Sequence, residues 1–175
     1  MMTPREQNGF TLVETLVAIT ILMVSIVGPM YAVFQAVQTT YIARDQLIAT
    51  ALAQEGVEYV RHTRDSNFLS TISNPGTPVP WLNGLNACTG QSCMVDVTAA
   101  ETTPPVSCSG TCAPLKVSST NLYSYDPSGS PSRFTRSVTI TNMTPNDAVI
   151  TSTVSWINAR IPFSITVTEH LYNWL

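Results

Sequence analysis

Residues 15–43 form a run of 29 positions without one charged side chain. As a helix this run spans roughly 43 Å at about 1.5 Å per residue, more than the hydrocarbon core of a bilayer at about 30 Å. The sequence therefore predicts a membrane-spanning helix close to the N-terminus. Glu14 stands at its lip. A carboxylate at mid-depth in a membrane costs on the order of 2.5–3.5 kcal/mol, so an acid travelling with such a segment needs a partner or a place at the watery end. In the first helical turn its charge is also favoured by the helix dipole.

Gly28 and Pro29 interrupt the apolar run. Proline removes a backbone donor and clashes with the preceding turn, which predicts a kink here. Within a membrane, neighbouring helices can satisfy the freed carbonyl of Ser25. Past Pro29 the pattern becomes amphipathic. Val33, Val37, Tyr41, Ile48, Leu52 and Tyr59 recur at three- and four-residue steps, while Arg44, Asp45, Glu55, Arg61 and Arg64 take the other side as a solvated face. Glu58 with His62, and Arg61 with Asp65, stand at supportive four-residue spacing. Helix is expected from Phe10 to about Arg64, with Gly56 permitting close packing at up to about 1 kcal/mol in helix propensity.

Residues 66–175 change character. Ten of the chain's 12 prolines lie there, among many Ser, Thr and Asn residues. Phe134, Arg136, Val138 and Ile140 alternate and face one way, and 149–156 and 163–172 are also β-rich. Asp126 to Gly129 and Thr144 to Asp147 are turn signals between these runs. The predicted class is α+β: a long N-terminal helix packed on a small antiparallel sheet of about four strands, with no repeats. Lys116, Arg133, Arg136 and Arg160 nearly balance Asp96, Glu101, Asp126, Asp147 and Glu169, so no basic field indicates nucleic acid. His62 and His170 lack motif context, the carboxylates are scattered, and no phosphate loop, dinucleotide fingerprint or zinc-protease signature is present. Neither an enzyme nor a cofactor or metal site is indicated. Trp81, Trp156 and Trp174 read as core before they read as an exposed binding patch.

The string Gly9-Phe10-Thr11-Leu12-Val13-Glu14, after a short polar leader and before an apolar helix, resembles the prepilin signal of type IV pilins and type II secretion pseudopilins. The resemblance implies a leader of residues 1–9, cleavage after Gly9 by the prepilin peptidase, methylation of the new amine on Phe10, and an assembly role for Glu14, paired with the Phe10 amine of a neighbouring subunit. Phe10 and Glu14 are four residues apart, one helical turn. The leader departs from the usual pattern in carrying only Arg5 as a basic group, offset by Glu6. Arg5 still biases the N-terminus to the cytoplasm. Residues 53–61, with Arg64 and Asp65, also resemble the stalk of PilV-type minor pilins and I-type pseudopilins, and 134–140, 151–156 and 170–174 resemble PilV-type minor pilins.

The implied organisation is a filament-core helix over 10–43, an amphipathic stalk over 44–65 and an extracytoplasmic head over 66–175. The implied localisation is the inner membrane, single-pass, N-in and C-out, then a cell-surface or periplasmic filament. Implied partners are other pilin subunits through the N-terminal helix, the peptidase and methylase, the inner-membrane assembly platform, and lipid before assembly. Minor pilin is the first reading and minor pseudopilin the alternative. A head-borne adhesin and a plain membrane-anchored periplasmic protein are others. A secretory signal peptide competes for the N-terminus, with 16–27 as its apolar region, but Met30 occupies the position where its cleavage site needs a small residue. Outside the cytoplasm Cys88, Cys93, Cys108 and Cys112 are expected to oxidise, in the loop region 85–115. Three pairings exist, among them the two local loops and a nested arrangement, Cys88 with Cys112 and Cys93 with Cys108; the spacing does not choose among them, and a four-cysteine metal site is the competing reading.

Overall fold

The computed structural model describes residues 9–99, 103–141 and 144–173. The leader up to Asn8, with Arg5 and Glu6, lies outside the described residues, as do Glu101 and Trp174.

Helix α1 runs Leu12–Ser73, 62 residues. Thr11 caps it, its Oγ1 accepting the Glu14 backbone N–H at 3.3 Å. The hydroxyls inside the apolar stretch turn back onto their own helix. Thr15 donates to Leu12 O at 2.9 Å, Thr20 to Val17 O at 2.8 Å and Ser25 to Leu22 O at 2.8 Å. Pro29 sits inside the helix without ending it. The expected end near Arg64 is corrected: α1 continues to Ser73. Side chains of its last turns tie down the following loop. Asn67 Nδ2 donates to the carbonyls of Trp81 and Asn83 at 3.2 and 2.9 Å, and Thr71 Oγ1 accepts the Val79 N–H at 2.9 Å. The helix stops where Pro75 disfavours helical geometry at Asn74.

The chain divides into two compact units, one ending at Arg44 and one beginning at Asp45. In the first, every described residue up to Tyr41 is exposed. The helix is long and apolar enough to cross a bilayer, and 0% of its most apolar window is buried. A core helix of a water-soluble fold buries that surface; this one leaves it for lipid or other helices.

The second unit packs the rest of α1 on one antiparallel sheet of seven strands. These are β1 (Cys93–Met94), β2 (Val106–Ser107), β3 (Pro114–Val117), β4 (Tyr123–Ser124), β5 (Ser130–Thr141), β6 (Asp147–Asn158) and β7 (Ile161–Tyr172). Strands β5, β6 and β7 form the expected meander. The other edge of β5 is shared, with β1 at Val138 and β3 near Ser130 to Thr135. Seven strands replace the expected four because β1 to β4 are two to four residues long, too short to display a period of two. Between β4 and β5, Asp126 Oδ1 accepts the Ser128 N–H at 2.8 Å, the turn that Asp-Pro-Ser-Gly signals.

Phe134, Arg136, Val138 and Ile140 of β5 all face inward, with Ala148, Ile150, Ser152, Val154 and Trp156 of β6. The helix side of the interface differs from the expected stripe. Its buried residues are Asp45, Ala49, Leu52, Ala53, Gly56, Val57 and Val60, while Ile48 and Tyr59 lie at the margins. The sheet approaches the helix backbone so closely that small residues mark the contact face. A Cβ added to Gly56 would stand 2.5 Å from Ser152 Oγ and 3.1 Å from Val138 Cγ2. Gly56→Ala is expected to destabilise the head by about 1–3 kcal/mol through overpacking, against a helix-propensity gain of at most about 1 kcal/mol. Adding Ser152→Ala should recover part of the loss, measured by urea unfolding of single and double variants. Full additivity of the two substitutions would show that the close approach is not what Gly56 serves.

Candidate functional site

Gly9 and Phe10 precede α1 in irregular, exposed chain, with Phe10 79% accessible. A Cβ built on Gly9 meets nothing within 4 Å among the described residues. The helical bonding starts one residue later, with the Thr15 N–H on Thr11 O at 3.1 Å. Phe10 therefore lies outside the helix, and the expected helix start at Phe10 is corrected to Leu12. Glu14 projects from the first turn, exposed, and pairs with no cation among the described residues. The arrangement is an exposed Gly9–Phe10 segment, a capped helix start and, among the described residues, a carboxylate without a cation at the head of an exposed apolar stretch.

In the head the expected solvated charge face is corrected. Asp45 is only 6% exposed and binds Arg133 Nη1 at 2.9 Å. Glu55 Oε2 accepts from Arg136 Nη1 at 2.5 Å, and that guanidinium is 0% exposed. Arg136 also donates to Leu52 O at 3.2 Å and to Val95 O at 2.6 Å, so one buried cation joins α1, β5 and the segment after β1. Arg61 pairs with Glu58 at 2.5 Å and with Glu169, and Asp65 pairs with Arg64 at 2.7 Å, in place of the expected Arg61 to Asp65 contact. The hydrogen bond with Glu169 pushes the Arg61 guanidinium above its ordinary range. The inward placement of Arg136 was visible in the alternation of β5; Asp45 carried no such signal.

The four cysteines form the two local loops, Cys88–Cys93 and Cys108–Cys112. Cys88 and Cys93 are fully buried and tie the 3-10 turn Asn86–Cys88 to β1 inside the core. Replacing this pair by alanine is expected to cost about 2 kcal/mol on the chain-entropy estimate for so short a loop. Unfolding midpoints of the variant and the parent in urea check it. An unchanged midpoint would mean that the surrounding core alone holds the turn.

His62 and His170 serve separate places. His62 lines a cleft of about 650 Å³ with Glu55, Glu58, Tyr59 and Asp96. His170 stands on β7, 3.3 Å from Asp147 Oδ1. Burial pushes the Asp96 carboxyl up, but hydrogen bonds from the Tyr125 and Thr98 N–H groups and the Thr98 hydroxyl outweigh it and hold the group below its ordinary value. Among the described residues no three His, Cys, Asp or Glu side chains gather in a metal-holding group. Trp156 is core, stacked on Phe163 at 5.5 Å, and Trp81 is half-buried against the far cluster.

Residues 4–28 match the family model described as the prokaryotic N-terminal methylation motif. No curated protein and no solved structure matches the chain.

Proposed function

We propose that this chain is a prepilin of the type IV pilus kind, cut after Gly9, methylated on Phe10 and assembled through its N-terminal helix into a filament. The observation that carries the reading is the methylation motif at residues 4–28, which overlaps the start of a helix whose most apolar window is uncovered. An α+β head, with the second part of the helix laid on an antiparallel sheet, supports it further. In this reading residues 1–9 are the leader, 10–43 the filament-core helix, 44–65 the stalk and 66–175 the extracytoplasmic head, held N-in and C-out by a single membrane pass. Its partners are the peptidase that cuts and methylates it, the inner-membrane assembly platform, and other pilin subunits. The chain is then a substrate and a building unit rather than a catalyst. The likeness of 134–140 and 151–156 to PilV-type sequences favours a minor pilin over a minor pseudopilin.

Intact-mass analysis of membrane-extracted protein tests processing. The expected mass lacks residues 1–9 and carries one added methyl group, and the shift on reduction counts the disulfides. A native polypeptide that retains Met1 or Met2, or an unmethylated Phe10, would overturn the proposal.

A further inference from the structure

Strand β7 has a neighbour on one side only. It pairs with β6 from Asp147 opposite Tyr172 to Asn158 opposite Ile161, and no other strand meets it. Ala159 at φ 47° and Arg160 at φ 72° make a two-residue turn, so Asn158 and Ile161 are a hydrogen-bonded pair. Alternation from that pair turns the backbone N–H and C=O groups of the odd-numbered residues of β7 toward β6. Those of the even-numbered residues point outward. Two contacts agree: the Asn173 N–H donates to Asn146 O at 3.0 Å, whereas Tyr172 O accepts from Arg64 Nη1 of α1 at 3.3 Å. Ser164, Thr166, Thr168 and His170 are exposed, and their outward backbone groups meet no partner among the described residues.

Edge strands are ordinarily blunted by lysine, proline, a bulge or shortness. Of the other strands at the ends of the sheet, β2 and β4 are two residues long. Strand β7 is 12 residues long and is blunted only at its ends. Pro162, at an outward position, has no N–H to offer, and Tyr172 O is occupied by Arg64. Between them 163–168 holds no charge, proline or glycine, and the pairing with β6 runs without a register shift. On the helix side of this window Phe163, Ile165 and Val167 are only half-buried.

We infer that this edge pairs antiparallel with the same edge of a second copy of the chain, Thr166 opposite Thr168 and Ser164 opposite His170 of the other copy. In that register Pro162 of one copy falls opposite Tyr172 of the other, so the residue without a donor meets the one whose acceptor is already occupied. A shift of two residues one way sets His170 O against proline. A shift the other way sets the Ser164 N–H against the occupied Tyr172 O. The four outward residues of each copy exchange about eight main-chain hydrogen bonds. Val167 meets its own copy across the two-fold axis, and the half-buried apolar row continues into the second sheet. Such an isologous pair closes on itself and does not propagate. It uses only residues of the unit beginning at Asp45 and stands apart from the prepilin reading; in a prepilin it is a state of chains outside the filament.

The test is residue-resolved hydrogen–deuterium exchange, with sedimentation, of the full-length chain in detergent micelles over a dilution series. At high concentration exchange is expected to slow at the N–H groups of Ser164, Thr166, Thr168 and His170, in step with a shift from monomer to dimer. The odd-numbered residues between them should exchange slowly at every concentration. Thr166→Pro deletes an outward donor without touching a bond to β6, and should stay monomeric where the parent is paired. If that variant does not fold, charge reads the register. Thr166→Lys with Thr168→Lys sets like charges opposite one another and should weaken pairing about tenfold, whereas Thr166→Lys with Thr168→Glu sets opposite charges there and should recover it. Exchange at 164–170 that ignores concentration would overturn the inference, whether the chain stays monomeric or associates through its apolar helix. Equal pairing by the two charged variants would overturn it as well, since it requires Thr166 to face Thr168.

Discussion

Glu14→Ala is expected to leave leader removal and Phe10 methylation intact while abolishing incorporation into filaments. The carboxylate sits in the first turn of a helix whose most apolar window buries none of its surface. Helices in lipid gain little from hydrophobic association, so polar contacts must supply direction to their packing. Leader removal would create an amine on Phe10, and that amine on a neighbouring subunit is the cation the proposed role requires. An acid entering an apolar bundle alone costs on the order of 2.5–3.5 kcal/mol, and a bound cation offsets that penalty. Alanine removes both the penalty and the register signal, so a variant helix is compatible with lipid but has no reason to leave it. The experiment compares methyl-Phe10 by mass with the protein recovered in sheared filaments. Normal recovery of Glu14→Ala in the filament fraction would sink the role; loss of cleavage would assign Glu14 to the peptidase instead. Glu14→Gln, which keeps shape without charge, should behave as alanine does.

Arg136→Met is expected to destabilise the head by about 3 kcal/mol, a large part of the 5–15 kcal/mol typical of a whole domain. Exchanging a buried ion pair for apolar groups can be neutral when both partners are replaced. Here the carbonyls of Leu52 and Val95 remain behind, each losing its donor inside the core at about 1–3 kcal/mol. The unpartnered Nε of Arg136 moderates the loss, since one buried donor is already unsatisfied. Glu55→Ala should also weaken the head, because it strips the anion from a fully buried cation. Urea unfolding followed through tryptophan fluorescence reads both. A Met variant as stable as the parent would show that Arg136 does not hold the helix to the sheet. Acid acts in the same region. The Asp96 carboxyl titrates lower folded than unfolded, so its contribution is present above the ordinary 3.8 and lost as pH falls through the lower folded value.

Period and length decide how much of this fold a sequence displays. Strands β5, β6 and β7 are 12 residues each, long enough for alternation to show, and their faces follow the pattern even for a charged residue, Arg136. The short strands β1 to β4 hide in a stretch shaped by proline, disulfides and side-chain hydrogen bonds rather than by periodicity. On the helix, large apolar residues suggested the buried stripe, and Leu52 follows it, but the sheet also packs on Ala49, Ala53 and Gly56, where hydrophobicity is low and a close approach decides the contact. Asp45 looked solvated because its partner, Arg133, is 88 positions away. The end of the helix was obscured similarly, its final turns held by Asn67 and Thr71 through loop backbone that no local rule anticipates. The methylation motif was legible for the opposite reason: the string Gly9 to Glu14 that marks it lies within six consecutive residues.

The inward-turned hydroxyls of Thr15, Thr20 and Ser25 have a consequence for traffic between environments. With their donors already satisfied, little on the apolar helix depends on whether its surroundings are acyl chains or other proteins. Extraction from the bilayer into a dry protein bundle would then be close to isoenergetic for the segment itself. Small asymmetries at its ends would decide the direction of travel.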